Sequence, residues 1–217
     1  MTTLYKAKRF FLDVIYPNKC PFCDEVIAYD AYYCSSCIEG TEIALPPEKL
    51  EPLRNVTATL SLFEYNKKTS PFVYAIKEGG DGYAVSAAAK LLCESLAYLP
   101  DEIGIITCIP TDAPRMRNRG YNPPKLIAAE MSAISGLAFA PKLLMKSRRT
   151  EIQKSLSAAE RRENLKDAFH VTDSSVSGNI LLIDDVRTTG ATLDSAAGVL
   201  ISAGATKVYA GVIATVI

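Results

Sequence analysis

One run constrains this chain more than any other: Asn179-Ile-Leu-Leu-Ile-Asp184-Asp185-Val-Arg187-Thr188-Thr189-Gly190-Ala191-Thr192-Leu193. Its four consecutive apolar residues predict a strand buried on both faces. Paired acids stand at the carboxyl end of that strand, and a turn rich in hydroxyls then opens a helix that Gly204 closes. Ligands of open α/β sheets bind at the carboxyl ends of strands. A helix N-terminus offers an anion unpaired N–H groups and the positive end of a dipole. Gly190 permits close backbone approach, and Thr188, Thr189 and Thr192 add hydroxyl donors. Two adjacent carboxylates suit the vicinal hydroxyls of a ribose and the water shell of Mg²⁺. Taken singly the pieces have plainer readings, a threonine helix cap and a solvated acidic pair. The GK[ST] ending of a Walker loop and the GxGxxG of a dinucleotide fold are both missing.

The rest of the chain frames this run in an alternating pattern. Helices are predicted at 70–78, 82–98, 123–135, 159–165 and 191–203, with strands at 103–109, 180–184 and 207–214 and a β-like stretch at 56–65. Alternation at this spacing implies a parallel, doubly wound α/β sheet. At 217 residues the chain suits one domain with an appendage, and 48% apolar with 22% charged residues is the balance of a globular protein. Residues 1–16 read as a short helix with Leu4, Ala7, Phe11, Val14 and Ile15 on one side, stopped by Pro17.

The appendage declares itself by cysteine spacing. Cys20-Pro-Phe-Cys23 and Cys34-Ser-Ser-Cys37 are two C-x2-C knuckles ten residues apart, the spacing of a four-thiolate zinc ribbon. Two disulfides or an iron–sulfur cluster are the alternatives. Four sulfurs leave no open position, so the metal is expected to be structural. With little apolar material around it, the segment is expected to fold mainly through metal binding. Cys93 and Cys108 fall in helix and strand patterns and read as core.

Lys+Arg and Asp+Glu both number 24, yet the zero total hides a pattern. Residues 1–110 hold 10 basic and 14 acidic side chains, 111–170 hold 12 and 6, and 171–217 hold 2 and 4. The basic excess thus lies between two strands expected to end at one site, where it suits phosphate oxygens. No stretch reaches the roughly 20 apolar residues of a membrane span, so no transmembrane segment is expected. Asp13 interrupts the N-terminal apolar run and no small-residue cleavage site follows, which points to a cytoplasmic chain. The single histidine, His170, makes histidine general-base chemistry improbable.

The segment Ile183-Asp184-Asp185-Val-Arg187-Thr188-Thr189-Gly190-Ala191-Thr192 resembles the phosphoribosyl-pyrophosphate (PRPP) motif of type I phosphoribosyltransferases. Joined to the four-cysteine ribbon, it makes the chain resemble the ComF family of competence-associated proteins, from Cys20 nearly to the end. Further pieces follow in order: Lys77 with Gly79-Gly80-Asp81, Ile109-Pro110, Arg119-Gly120-Tyr121-Asn122, Arg148-Arg149-Thr150 with Gln153, Arg161-Arg162 with Asn164, and Ala168-Phe169.

The resemblance implies a helix and zinc ribbon in 1–47 and, in 48–217, a type I phosphoribosyltransferase fold, a twisted and mostly parallel sheet flanked by helices. It implies catalytic Asp184 and Asp185 on ribose hydroxyls, with Mg²⁺ accompanying PRPP. The 5′-phosphate falls to Arg187, Thr188, Thr189, Gly190, Ala191 and Thr192. Lys77, Arg115, Arg117, Arg119, Arg148, Arg149, Gln153 and Arg161 are its candidates for pyrophosphate or DNA phosphate. Arg115 to Arg119 would lie in a pyrophosphate loop, and Lys146 to Arg161 in a loop that folds over the substrate. Implied partners are single-stranded DNA, a DNA-uptake helicase and a DNA-processing protein, in natural transformation. A non-catalytic single-stranded-DNA-binding factor on the same scaffold, with Tyr121 or Phe139 as stacking surfaces, is the alternative. Two positions depart from the family pattern: Arg187 replaces its usual aromatic, and Pro123 its usual Gln.

Overall fold

The computed structural model describes residues 17–28, 31–39, 41–147, 168–172 and 176–217. Five parallel strands form the central sheet: β1 (Thr59–Glu64), β2 (Ile105–Cys108), β3 (Ala138–Phe139), β6 (Asn179–Arg187) and β7 (Lys207–Thr215). Their order is β1-β7-β6-β2-β3. Two further strands, β4 (Leu144–Lys146) and β5 (Phe169–Val171), make a separate antiparallel pair. The expected parallel α/β sheet is therefore present.

Alternation along β6 divides the core. Leu181 and Ile183 join a cluster with Phe72, Ile76, Leu92 and Ile127, while Ile180 and Leu182 join another with Leu193, Ala196 and Leu200. The first face is covered by α2 (Ser70–Lys77), α3 (Gly82–Ser95) and α5 (Pro123–Ser135), the second by α6 (Ala191–Ser202). Helices on both faces explain why the strands read as unbroken apolar runs. The predicted helices 70–78, 123–135 and 191–203 match closely, and 82–98 ends its α-helical part at Ser95 before one 3-10 turn, Leu96–Tyr98.

Three strand and helix details differ from the expectations. The β-like stretch 56–65 contains a strand only from Thr59 to Glu64, although Thr57 already donates to the Val208 carbonyl at 2.7 Å. Strands β3, β4 and β5 have two or three residues each, too short to show period-two alternation. The supposed pyrophosphate loop is a helix, α4 (Ala113–Arg119), with Pro114 in its first turn and Gly120 closing it at φ 79°. Predicted helices 1–16 and 159–165 lie outside the described residues.

The ribbon, with its short helix α1 (Ser35–Ile38), is seated on the sheet rather than hung from it. Phe22, inside the first knuckle, packs at 5.6 Å from the Phe63 ring and 5.0 Å from Phe72. Leu45 bridges the outer edge of β1 at Ser61. The expectation of a ribbon poor in apolar support is corrected here: Cys20 and Phe22 belong to the larger core cluster. No helix among the described residues is long and apolar enough to cross a membrane.

Candidate functional site

Parallel pairing of β2 with β6 brings Cys108 opposite Ile183, so the residues after β2 emerge beside Asp184 and Asp185. The side chains of successive strand residues point to opposite faces. Asp185 continues the face of Ile183, and there it meets Lys77, at the end of α2, at 3.1 Å. On the segment after β2, Asp112 pairs with Lys146 from the end of β4 and lies 3.9 Å from Arg115. Asp184 keeps part of its surface open to solvent, yet the protein packed around it pushes its carboxyl up to about 7. The Asp185 carboxylate adds to that rise, and Lys77 and Lys146 oppose it. Three carboxylates and two ammonium groups therefore gather at the carboxyl edge of the sheet.

The Arg119-Gly120-Tyr121-Asn122 segment ties this edge together. Arg119 donates to the Glu78 carboxylate at 2.8 Å, and the Tyr121 hydroxyl donates to the Lys77 carbonyl at 3.1 Å. The Tyr121 ring lies over Gly80, whose φ of 59° and lack of Cβ permit that approach. Asn122 donates through Nδ2 to the Ile109 carbonyl at 3.0 Å. The segment thus holds the end of α2, which carries Lys77, against the end of β2. Its Asn122 Oδ1 is buried without a partner among the described residues. Asn122 stands at the N-cap of α5 without a side-chain capping bond, and Pro124 at N2 removes one of the two N–H groups such a side chain would meet. Arg119 and Tyr121 therefore have structural partners, a role that sequence spacing did not reveal.

The hydroxyl-rich turn follows β6 directly. Thr188 and Thr189 are exposed, and Gly190 starts α6 at φ 75°. The turn is covered from one side by the segment before β1. A Cβ on Gly190 would come within 2.6 Å of Leu53, while Asn55 donates its backbone N–H to the Asp194 carboxylate at 2.7 Å. Arg187 is 6% exposed and donates from its guanidinium to the Glu51 carbonyl. Arg115 and Arg117 project into solvent from α4, which buries none of its residues. Phe139 packs against the larger core cluster. Arg148, Arg149, Gln153 and Arg161 lie outside the described residues.

The metal centre is separate. The sulfurs of Cys20, Cys23, Cys34 and Cys37 all lie within 4.8 Å of one another, and Cys23 Sγ stands 3.8 Å from Cys34 Sγ. A tetrahedron with zinc–sulfur bonds of about 2.3 Å has edges of about 3.8 Å, so the four thiolates fit zinc. All four cysteines are free of disulfides. Burial pushes the Cys37 thiol far up, and the Cys34 and Cys23 sulfurs push it further. Four crowded thiolates are incompatible with one another unless a cation neutralises them. The Cys34 N–H donates to Cys20 Sγ at 3.4 Å, a knuckle contact that orients the ligand sulfur.

Comparison with known proteins adds three findings. A family model described as a double zinc ribbon domain matches residues 11–47. The DNA utilization protein YhgH of Salmonella typhimurium is 27% identical over 194 residues, covering 87% of this chain and 80% of that protein. Competence protein F of Haemophilus influenzae is 26% identical over 203 residues, covering 87% and 81%. Among solved structures, the glutamine PRPP amidotransferase of B. subtilis aligns with a TM-score of 0.43 and 17% identity. That alignment covers 64% of this chain and 30% of the larger enzyme. The resemblance to the ComF family is borne out, and the chain is a homologue of the DNA-utilization and competence proteins, with a four-cysteine zinc ribbon ahead of its parallel sheet.

Proposed function

We propose that the carboxyl edge of the sheet binds PRPP together with Mg²⁺, and that the chain works in the cytoplasm in DNA utilization as a ComF-type protein. One observation carries the reading: Asp184 and Asp185 lie in the last four residues of β6, which turns at once through Thr188–Gly190 into the N-terminus of α6. In this arrangement the two carboxylates accept hydrogen bonds from ribose hydroxyls, and Thr188 to Thr192 donate to the 5′-phosphate. Lys77, now paired with Asp185, is placed to exchange that partner for a pyrophosphate oxygen. The carboxylate donors are hard oxygens of the kind Mg²⁺ prefers, and the ion when bound disperses the charge of the departing pyrophosphate. Transfer would form a bond from an acceptor atom to ribose C1 while the C1–pyrophosphate bond breaks. The one histidine of the sequence, His170, is exposed on β5 with its ring nitrogen 3.4 Å from the Ser147 hydroxyl, so this reading uses no histidine base and the acceptor brings a reactive lone pair of its own.

The test is a calorimetric titration of PRPP with Mg²⁺ into wild type and into Asp184→Asn/Asp185→Asn. The reading predicts saturable binding that falls at least about tenfold in the double variant, equivalent to one or more lost charge-assisted hydrogen bonds. Equal affinity in the two proteins contradicts it.

A second reading, single-stranded DNA binding, is favoured by one feature of α4. Arg115, Arg117 and Met116, the last 42% exposed, all face solvent beside the acidic site. Such a surface binds phosphates in a salt-dependent manner. Arg115→Glu/Arg117→Glu is predicted to abolish binding of a labelled oligonucleotide at low salt. Unchanged binding would remove α4 from the interface.

A further inference from the structure

The segment that covers the phosphate turn also lines an open-sided cavity of about 370 Å³ beside it. This volume lies within the range of small-molecule sites. Leu50, Leu53 and Val56 give it apolar walls, and Arg187, Glu48 and Glu51 supply its charged groups. The origin of the cavity is local. Leu45 pairs with β1 at Ser61, but Pro46 and Pro47 then turn the chain off the edge, so pairing stops short of Thr59.

Arg187 is the unusual member. It is 94% removed from solvent, and its side-chain hydrogen bonding among the described residues is one bond to the Glu51 carbonyl. No carboxylate lies within ion-pair distance of it among those residues. A guanidinium has five N–H donors, and a buried charge so sparsely matched is costly until other acceptors arrive. The cavity is where they can arrive. Two carboxylates against one guanidinium disfavour an anion there, so the fitting ligand is neutral. It must present adjacent acceptors to the planar fork of Arg187, N–H donors to Glu48 and Glu51, and flat faces to the leucine and valine walls. Guanine answers each demand: O6 and N7 match the arginine fork, and N1–H with the 2-amino group matches carboxylates.

We propose that this cavity is a guanine-selective binding site, for the base or its nucleoside, with Arg187 reading the O6/N7 edge. The site uses neither Asp184 nor Asp185, and it gives Arg187, counted by the resemblance among the phosphate residues, a role on the cavity side of the strand instead.

The experiment is calorimetric titration of the zinc-loaded full chain with guanosine, with adenosine as the competitor that lacks O6. Expected are saturable guanosine binding, adenosine weaker by about tenfold or more, and a similar loss for guanosine in Arg187→Gln. Glu48 and Glu51 are exposed, so Glu48→Gln/Glu51→Gln keeps the fold and is expected to weaken guanosine as well. The Asp184→Asn/Asp185→Asn chain keeps its guanosine affinity even if PRPP binding is lost, which separates the two proposals. Absence of saturable guanosine binding by folded wild type overturns the inference, as does equal affinity for the two nucleosides or unchanged affinity in Arg187→Gln. Should Arg187→Gln fail to fold, unchanged affinity in Glu48→Gln/Glu51→Gln overturns it.

Discussion

Asp184 shows how a residue placed for ligand binding costs the fold stability. Burial first, and the Asp185 charge second, raise its carboxyl to about 7. A raised acid binds its proton more tightly in the folded chain than in the unfolded one, where its value is near 4. Stability is therefore drained as pH rises from about 4 through 7. Replacing Asp184 by Asn removes the drain, so the variant is predicted to melt higher than wild type at pH 8. The difference should shrink towards zero as pH falls to 4, which a series of thermal scans would follow. A variant that is less stable than wild type at pH 8 would contradict this account. Ligand affinity runs the other way: PRPP with Mg²⁺ needs the ionised carboxylate, so wild-type binding is predicted to strengthen as pH is raised through 7.

Among the elements, those legible in the sequence are the ones whose local pattern agrees with their packing. Helix α5 was readable from Pro123 to Ser135 because a proline pair opens it and Gly136 closes it at φ 77°. The strand β6 was readable because four apolar residues serve two core faces at once. By contrast, the α4 residues carry no apolar stripe, and a helix that buries nothing cannot announce itself by periodicity. The ribbon was legible as metal ligands and illegible as packing, since the contact of Phe22 with Phe63 and Phe72 joins distant parts of the chain. Phe22→Ala is predicted to cost about 3–5 kcal/mol in urea unfolding. It should also weaken zinc retention, measured by competition with a chromophoric chelator. Loss of neither would mean that the ribbon stands apart from the sheet. Wild type itself is predicted to hold about one zinc per chain, and elemental analysis finding none would refute the centre.

At the scale of the whole molecule, the sequence signalled where charge accumulates but not how it is balanced. Among the described residues of the basic stretch 111–170, Arg119 and Lys146 reach the carboxyl edge of the sheet, yet Arg119 is neutralised by Glu78 and Lys146 by Asp112. The side chain of Arg187 likewise could not be placed from its neighbours in sequence. Its hydrogen-bond partner, Glu51, is 136 residues away, and only the covering segment brings the two together. Motif residues on one strand and its turn are kept together by local geometry, so the run from Asp184 to Thr192 could be read as a unit from sequence where its long-range partners could not. The most direct test of the central claim is a crystal structure of the zinc-loaded chain with PRPP and Mg²⁺. The account predicts ribose hydroxyls on Asp184 and Asp185, with the 5′-phosphate in the turn from Thr188 to Thr192. PRPP bound anywhere else, or an edge left empty at saturating ligand, would contradict it.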